Sequence, residues 1–229
     1  MQALLYDVHG NLPALEAVLA DAESAGVDRW VLGGDYALFG GWPLETVERL
    51  RALSPAVWIR GNGERWTADP SEARENPIVP AAVEAAREAL GEDLVDDLTS
   101  LPFSCVIEQS FVCHGSPLSD VRSFAPEPSA DEEELLAGTS AATVVFGHTH
   151  VPFARRSPVA DVELVNPGSV GMPFDGDTRA AYAIVHDDGS IEHRRVAYDH
   201  AASSARLRGF RAEWADVVAL RIERAAIAA

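Results

Sequence analysis

Acidic, amide and imidazole side chains follow the predicted strands of this chain, each beside a glycine. The segments are Asp7-Val8-His9-Gly10-Asn11, Gly33-Gly34-Asp35, Gly61-Asn62-Gly63-Glu64, Cys113-His114-Gly115 and Gly147-His148-Thr149-His150. The carboxyl ends of strands are where α/β proteins build their sites, and glycine lets the backbone turn sharply beside a ligand. We therefore expect these side chains to act together in one site.

The residue types in these segments form a donor set for metal ions. Two carboxylates, four imidazoles and one amide are available, from Asp7, His9, Asp35, Asn62, His114, His148 and His150. Mixed oxygen and imidazole ligands suit Mn, Fe, Zn, Co or Ni rather than Ca or Mg. Seven ligands are too many for one ion and suit two ions that share a carboxylate. Two ions roughly 3.5–4 Å apart can clamp a phosphoryl group and activate a bridging water.

The spacing within two of the segments indicates how ligands could be shared. In an extended segment, residues i and i+2 point to the same side. Asp7 and His9 could therefore share one ion, whereas His148 and His150 could be divided between two ions. Each segment alone is weak evidence for a metal site, since a lone Gly-Asn, for example, is usually a turn. The signal is the conjunction of five such segments, in this order, each after a strand.

The series of segments resembles the calcineurin-like metallophosphoesterases, and more narrowly the small bacterial and archaeal phosphodiesterases of that superfamily. Asn166-Pro167-Gly168-Ser169-Val170 is similar to a segment that those small enzymes carry. The resemblance implies a four-layer αββα sandwich of two mixed β-sheets flanked by helices. It also implies a distribution of the ligands: Asp7, His9 and His150 on one ion, Asn62, His114 and His148 on the other, with Asp35 as the bridge, and Asp35, Asn62 and His148 at the centre of catalysis.

The same resemblance implies a metal-dependent phosphodiesterase that hydrolyses small phosphodiesters by means of a metal-bridging hydroxide. Mn²⁺ is the favoured cofactor, with Ni, Fe, Co or Zn as alternatives. Three other functions stay open: a dinucleoside polyphosphate hydrolase, a phosphomonoesterase, and a non-catalytic protein-binding scaffold of the same fold. Scaffolds of this kind typically lose metal ligands, whereas this chain has an acceptable residue at all seven positions.

Gly63 stands where many members of the superfamily carry a histidine that helps the leaving group to depart. Because glycine supplies no imidazole here, we predict a preference for diesters with good leaving groups, such as aryl phosphodiesters. The glycine is also a candidate for positive φ, and the side chain of the neighbouring Glu64 is expected to point elsewhere. Four nearby side chains could face the substrate, or could equally serve packing or meet solvent: Phe39, Trp42, Arg65 and Trp66.

The composition restricts the partners of the chain. Its 229 residues have a formal net charge of −18, and all 18 basic residues are arginine. A protein with this large a negative charge repels long polyanions. We therefore do not expect it to bind long nucleic acids. There is no apolar run long enough for a membrane span, and the first residues lack the basic start and long apolar stretch typical of a signal peptide, so we expect none. The two cysteines do not indicate a disulfide framework. We predict a cytoplasmic enzyme acting on a small phosphoester.

We predict a single metallophosphoesterase domain over residues 1–229. Strands and helices alternate in the first part of the chain, which indicates parallel strands with right-handed crossovers. A helical cap or insert is expected at about 65–100, after which the pattern turns to β. From about residue 201 the sequence is typical of a helical tail. This tail could cover the core or pair with a second subunit in a homo-oligomer.

Overall fold

Short apolar segments form two mixed five-stranded sheets in the computed structural model, which describes residues 1–73 and 77–227. The strands are β1 (Gln2–Leu5), β2 (Arg29–Leu32), β3 (Ala56–Trp58), β4 (Ser104–Ile107), β5 (Ser110–Cys113), β6 (Thr143–Val145), β7 (Phe153–Arg156), β8 (Glu163–Asn166), β9 (Ala180–Val185) and β10 (Ile191–Val196). Their order is β10-β9-β1-β2-β3 in the first sheet and β4-β5-β6-β8-β7 in the second.

The middle of each sheet is parallel. β1, β2 and β3 run in parallel in the first sheet, and β5, β6 and β8 do so in the second. Antiparallel strands complete both sheets. This pairing brings the carboxyl ends of the parallel strands of each sheet to one edge. The sequence pattern did not predict β7, an edge strand whose residues are only half-buried or exposed.

Eight α-helices and one 3-10 helix are found within residues 1–73 and 77–227. Their bounds are α1 (Leu12–Ser24), α2 (Pro43–Arg51), α3 (Asn62–Ala68), the 3-10 helix (Pro70–Ala73), α4 (Val79–Leu90), α5 (Glu92–Thr99), α6 (Glu132–Leu135), α7 (His200–Arg208) and α8 (Glu213–Arg224). α1 buries Leu15, Val18 and Leu19 at helical spacing. Asn11 precedes α1, but instead of capping it the side chain donates to the carbonyl of Gly171.

Three apolar layers hold these elements together. Tyr6 and Val145 belong to the cluster between the two sheets. Leu15 of α1 belongs to the cluster outside the first sheet, and Leu135 of α6 packs with Phe146 outside the second. Helix, sheet, sheet and helix therefore form four layers, and the fold expected from the sequence is confirmed.

A fourth apolar cluster joins the C-terminal helices to the middle of the chain. Trp214 and Val218 of α8 pack with Val83 of α4 and with Leu38 and Phe39. The tail therefore covers an apolar surface of this same chain. The expectation of a homo-oligomer stays a prediction. Within residues 1–73 and 77–227, no helix combines the length and apolar character that crossing a membrane requires.

Candidate metal centre

Five ligand candidates lie on loops whose backbone is left-handed at these residues. Asp7, His9, Asp35, His148 and His150 have φ of 53°, 47°, 58°, 65° and 59°. Non-glycine residues rarely adopt this conformation, which costs on the order of 1–3 kcal/mol each and is concentrated at functional sites. The interpretation of Asp-x-His and His-x-His as extended segments is therefore wrong, since loop geometry and not strand alternation directs these side chains.

One group of ligand atoms comes from Asp7, His9 and His150, and these atoms lie within 4.8 Å of one another. Nδ1 of His9 lies 2.9 Å from the carbonyl oxygen of Leu38, and Nδ1 of His150 lies 2.6 Å from that of Met172. A carbonyl oxygen only accepts, so each Nδ1 carries the hydrogen and each Nε2 of a neutral ring presents a lone pair. The two Nε2 atoms are 3.2 Å apart. A cation beside them would relieve the repulsion between these lone pairs.

The carboxylate of Asp7 adds to this concentration of electron pairs. Its Oδ1 lies 3.9, 3.7 and 3.4 Å from Nε2 of His9, His114 and His150. Oδ1 is buried and has no hydrogen-bond partner among the described residues, whereas Oδ2 accepts from the backbone N–H of His148. Leaving a buried carboxylate oxygen unpartnered is costly. The donor set thus fits a divalent cation.

A second group combines Asp7, Asp35 and His114, also within 4.8 Å. Nδ1 of His114 donates to the carbonyl of Gly33 at 2.8 Å, so its Nε2 faces the carboxylates. Asp35 Oδ1 is 3.5 Å from Nε2 of His114, and its Oδ2 is 3.7 Å from Nε2 of His9. Asp35 therefore approaches one imidazole of each group, as the bridge that the resemblance implies would. Asp7 belongs to both groups.

Asn62 and His148 complete the set of seven. Asn62 is the first residue of α3, and its amide oxygen lies 2.9 Å from Nδ1 of His148. If the amide nitrogen took this place, it would donate to His148, to Nε2 of His114 at 3.1 Å and to the backbone oxygen of Asp120 at 3.2 Å. With the oxygen there, the Asn62 oxygen and two imidazole nitrogens converge, and these three atoms could serve together as ligands of a cation. All seven predicted ligands thus come together.

A family model of the calcineurin-like phosphoesterase superfamily domain matches residues 2–190. The chain belongs to this superfamily. An uncharacterized protein from Methanocaldococcus jannaschii is 28% identical over 219 residues, which covers 87% of this chain and 88% of that protein. The phosphodiesterase YfcE of Escherichia coli K12 is 26% identical over 196 residues, with 80% and 85% covered. A metallophosphoesterase structure from Sphaerobacter thermophilus superposes with a TM-score of 0.84, at 28% identity and with 98% of each chain covered.

Burial and neighbouring charges set the protonation of the metal-free phosphoesterase site. Burial lowers the pKa of His9 to about 3, and His150 adds to the effect. Burial also lowers the pKa of His148 to about 4 and raises that of Asp35 to about 7. His114 differs, because although burial acts against its charged form, Asp35 and Asp7 raise its pKa to about 9. His9 and His148 are therefore neutral, as ligands must be.

The loop of Asp35 is fixed by two residues whose roles the sequence did not reveal. The Glu64 carboxylate accepts from the backbone N–H groups of Asp35, Tyr36 and Gly61. The Glu64 carboxylate is therefore engaged by backbone N–H groups. Gly63 lies in α3, so the expectation of positive φ is wrong. Its N–H donates to Asp35 Oδ1 at 2.6 Å.

The segment 166–170 supports the histidine loop of the phosphoesterase. Asn166 donates from Nδ2 to the carbonyl of Gly147 at 2.9 Å and to the hydroxyl of Thr149 at 3.0 Å. Ser169 donates to the backbone oxygen of Asp7 at 2.7 Å. These bonds connect the first strand end to the loop of His148 and His150. The sequence signalled this segment through the resemblance but gave no role for it.

The predicted substrate contacts lie in different environments, and of the three aromatic residues Phe39 is the one that contacts a candidate ligand. Phe39 is only 7% exposed, and its ring centroid lies 5.8 Å from that of His9. Trp66 packs against the same apolar cluster as Phe39. Trp42 lies under the guanidinium of Arg206 at 5.8 Å. Their contact with substrate stays a prediction.

Two further side chains, Arg65 and Phe174, make contacts next to the candidate ligands. Arg65, the fourth predicted substrate contact, binds the carboxylates of Asp120 and Glu72. Phe174, which no motif singled out, stacks on the His150 ring with centroids 4.4 Å apart and planes 11° from parallel. Phe174 thus fixes the position of one candidate ligand ring from a distant part of the chain.

Proposed function

We propose that this chain is a phosphodiesterase that uses two divalent transition-metal ions, with Mn²⁺ favoured, to hydrolyse small phosphodiesters. The observation that carries the proposal is the convergence of three imidazole Nε2 atoms, from His9, His114 and His150, on Oδ1 of Asp7, which has no hydrogen-bond partner among the described residues. Asp7, His9 and His150 would hold one ion, Asn62, His114 and His148 the other, and Asp35 would lie between them.

Bound ions would acidify a water and neutralise charge on the phosphoryl oxygens. The protein's part is to hold the ligands in place and to exclude bulk water. Six of the seven ligands are buried, and His148 is half-buried, so substrate would enter on the side of His148. Arg65 is paired with Asp120 and Glu72, so its charge is not free to neutralise a phosphate.

Two observations favour diesters over monoesters. The relative from Escherichia coli that matches 80% of this chain is named a phosphodiesterase. At position 63 the chain has no imidazole to protonate a leaving alkoxide, a contribution typically worth roughly 10²–10⁴-fold. Diesters with aryl leaving groups need this help least, because the departing oxygen carries its charge more easily.

The proposal is tested by metal analysis and by a substrate panel. Metal-free protein is reloaded with Mn²⁺, and aryl and alkyl phosphodiesters and monoesters are assayed. We expect two ions per chain and the highest rates on aryl phosphodiesters. Asp35→Ala removes the carboxylate between the two groups and is expected to lower the rate more than about 100-fold, since even outer-shell changes cost 10–100-fold.

A matched control is Asp161→Ala, which removes a carboxylate whose side chain is 94% exposed and paired only with Arg156 among the described residues. It should retain wild-type metal content and rate. At most one tightly bound ion in the wild type, or hydrolysis of monoesters alone, would contradict the proposed function.

A further inference from the structure

A bidentate ion pair lies directly beside the metal centre. Arg65 is on α3, one turn after Asn62, and donates from Nε to Asp120 Oδ2 at 2.8 Å and from Nη2 to Oδ1 at 2.7 Å. The side chain of Asp120 is 9% exposed and that of Arg65 24%. Paired hydrogen bonds of this type are strong and fix orientation as well as distance.

The two partners belong to the elements that carry two ligands of the second ion. Asn62 begins the helix of Arg65, and Asp120 lies in the loop that follows His114. The backbone oxygen of Asp120 is also within 3.2 Å of the Asn62 amide group. The ion pair therefore connects the helix of Asn62 to the loop of His114 directly.

We propose that Arg65 and Asp120 are positioning residues for the ion held by Asn62, His114 and His148. The inference rests on the proposed function and assigns Arg65 a role other than substrate contact. The guanidinium is already engaged, since Nη1 donates to Glu72 in addition to the two bonds with Asp120. Loss of the pair would let α3 shift relative to His114, and the Asn62 oxygen would no longer meet the imidazoles.

The effect should be confined to one ion. His9 and His150, which would hold the other ion with Asp7, are oriented by backbone carbonyls of Leu38 and Met172. These carbonyls lie outside α3 and the loop after His114. Removing the ion pair should therefore leave that ion in place.

The chain offers a matched control for the general stabilising effect of such a pair. Arg194 donates from Nε to Asp21 Oδ2 at 2.8 Å and from Nη2 to Oδ1 at 3.1 Å. Its side chain is 28% exposed, similar to that of Arg65. This pair joins α1 to β10, away from the metal ligands. Arg194→Gln therefore removes the same chemistry without touching the centre.

The experiment titrates metal-free wild type, Arg65→Gln, Arg65→Lys, Asp120→Asn and Arg194→Gln with Mn²⁺ by calorimetry. We expect two equivalents in the wild type. In Arg65→Gln and Asp120→Asn, one equivalent should weaken by about 10–100-fold, the range for residues that orient metal ligands, while the other stays within about twofold. Arg65→Lys keeps a charged donor and should recover part of the loss. Arg194→Gln should bind both equivalents as the wild type does.

Unchanged binding of both equivalents in folded Arg65→Gln would overturn the proposal, as would equal weakening of both. If Arg65→Gln does not fold, the isosteric Asp120→Asn decides in the same way. A wild type that binds fewer than two ions would overturn the two-ion centre itself, and with it the role of the pair. That failure is recognisable because it is seen before any substitution is made.

Discussion

The two halves of the proposed metal centre differ in what fixes their candidate ligands. In the half formed by Asp7, His9 and His150, both imidazoles donate to backbone carbonyls, at 2.9 and 2.6 Å. In the half formed by Asn62, His114 and His148, only His114 is seen to do so, through Gly33. Nδ1 of His148 instead faces the Asn62 amide.

This difference bears on how each half responds to change. A backbone carbonyl is held by the fold and survives side-chain substitution nearby. An amide on a short helix is held by the contacts of that helix, which here include the side chains of Glu64 and Arg65. We infer that the first half is preorganised by main-chain geometry and that the second half depends on side chains around it.

The largest expected effects come from replacing His150 or His148, and the two replacements should remove different ions. His150→Ala should remove the ion held with Asp7 and His9 and lower activity more than about 100-fold, since loss of an outer-shell partner alone costs 10–100-fold. His148→Ala should remove the other ion.

Combined with Arg65→Gln, His148→Ala should show a non-additive loss of metal affinity, because both substitutions act in the same half. His150→Ala with Arg65→Gln should be close to additive. Calorimetric Mn²⁺ titration of the single and double variants measures these losses.

His186→Ala is the control for these histidine variants. His186 is 34% exposed and contacts Glu192 on the edge strand β10. It should bind both equivalents of Mn²⁺ as the wild type does. If His148→Ala and His150→Ala lose the same equivalent, the division of this histidine pair between the two halves is wrong.

The sequence indicated which residues would meet, because strand order and residue type are both visible in it. Asp7, Asp35 and His114 each follow a predicted strand. Parallel pairing places Asp7 and Asp35 at one edge of the first sheet, and the packing of the two sheets brings His114, which follows a strand of the second sheet, to the same place. The spacing argument assumed extended segments that these residues do not form, and the division of the ligands between two ions stays a prediction. His148 and His150 have φ of 65° and 59°, which periodicity could not predict, because these values depend on tertiary contacts.

Residues that support the ligands were beyond the reach of sequence patterns. Asp120 is far from Arg65 along the chain, and neither belongs to a motif. Ser169 reaches Asp7 across most of the chain length. Such pairs are recognised only when the fold brings them together. Strand β7 was missed for a related reason, since an edge strand with half-exposed residues carries a weak apolar pattern.

Gly63 tests how closely the second half is packed against Asp35, the carboxylate proposed as the bridge. A Cβ at this position would lie 2.8 Å from Asp35 Oδ1 and 3.0 Å from Cγ. Asp35 is buried and short, so it can give way only by leaving its place between His9 and His114. We expect Gly63→Ala to weaken Mn²⁺ binding by about 10-fold, at the lower end of the range for residues that orient ligands. Calorimetry measures the affinity, and a leaving-group series measures the rate.

The same contact with Asp35 determines what we expect of Gly63→His. An added imidazole would meet Asp35 before it could assist a leaving group, so rates should fall for all esters. Gly189→Ala is the control, since Gly189 has positive φ but open space around it. It should lower stability without changing metal affinity. A Gly63→Ala protein with wild-type Mn²⁺ affinity would show that Asp35 tolerates the contact.

The smallest expected effect concerns Asp21, which belongs to neither half. Asp21 accepts hydrogen bonds from Arg194 and from the hydroxyl of Tyr182. The bond from Arg194 is the largest favourable influence, and it lowers the pKa of Asp21 below its ordinary value of 3.8. Stabilisation from this carboxylate is therefore present above about pH 3.8 and is lost as the pH falls through the lower, folded-state pKa.

Asp21→Asn should lower the free energy of unfolding by about 1 kcal/mol near neutral pH, the upper end for partly exposed pairs. The difference from the wild type should shrink as the medium is acidified below about pH 3.8, because the wild-type carboxylate is then protonated as well. Urea denaturation of the metal-free wild type and Asp21→Asn, near neutral pH and again in acid below about pH 3.8, measures this difference in the free energy of unfolding. Both Mn²⁺ equivalents should bind as in the wild type, because α1 and β10 carry no ligand of either half. A stability difference that persists unchanged in acid would show that the hydrogen-bonding shape of Asp21, and not its charge, stabilises this part of the fold.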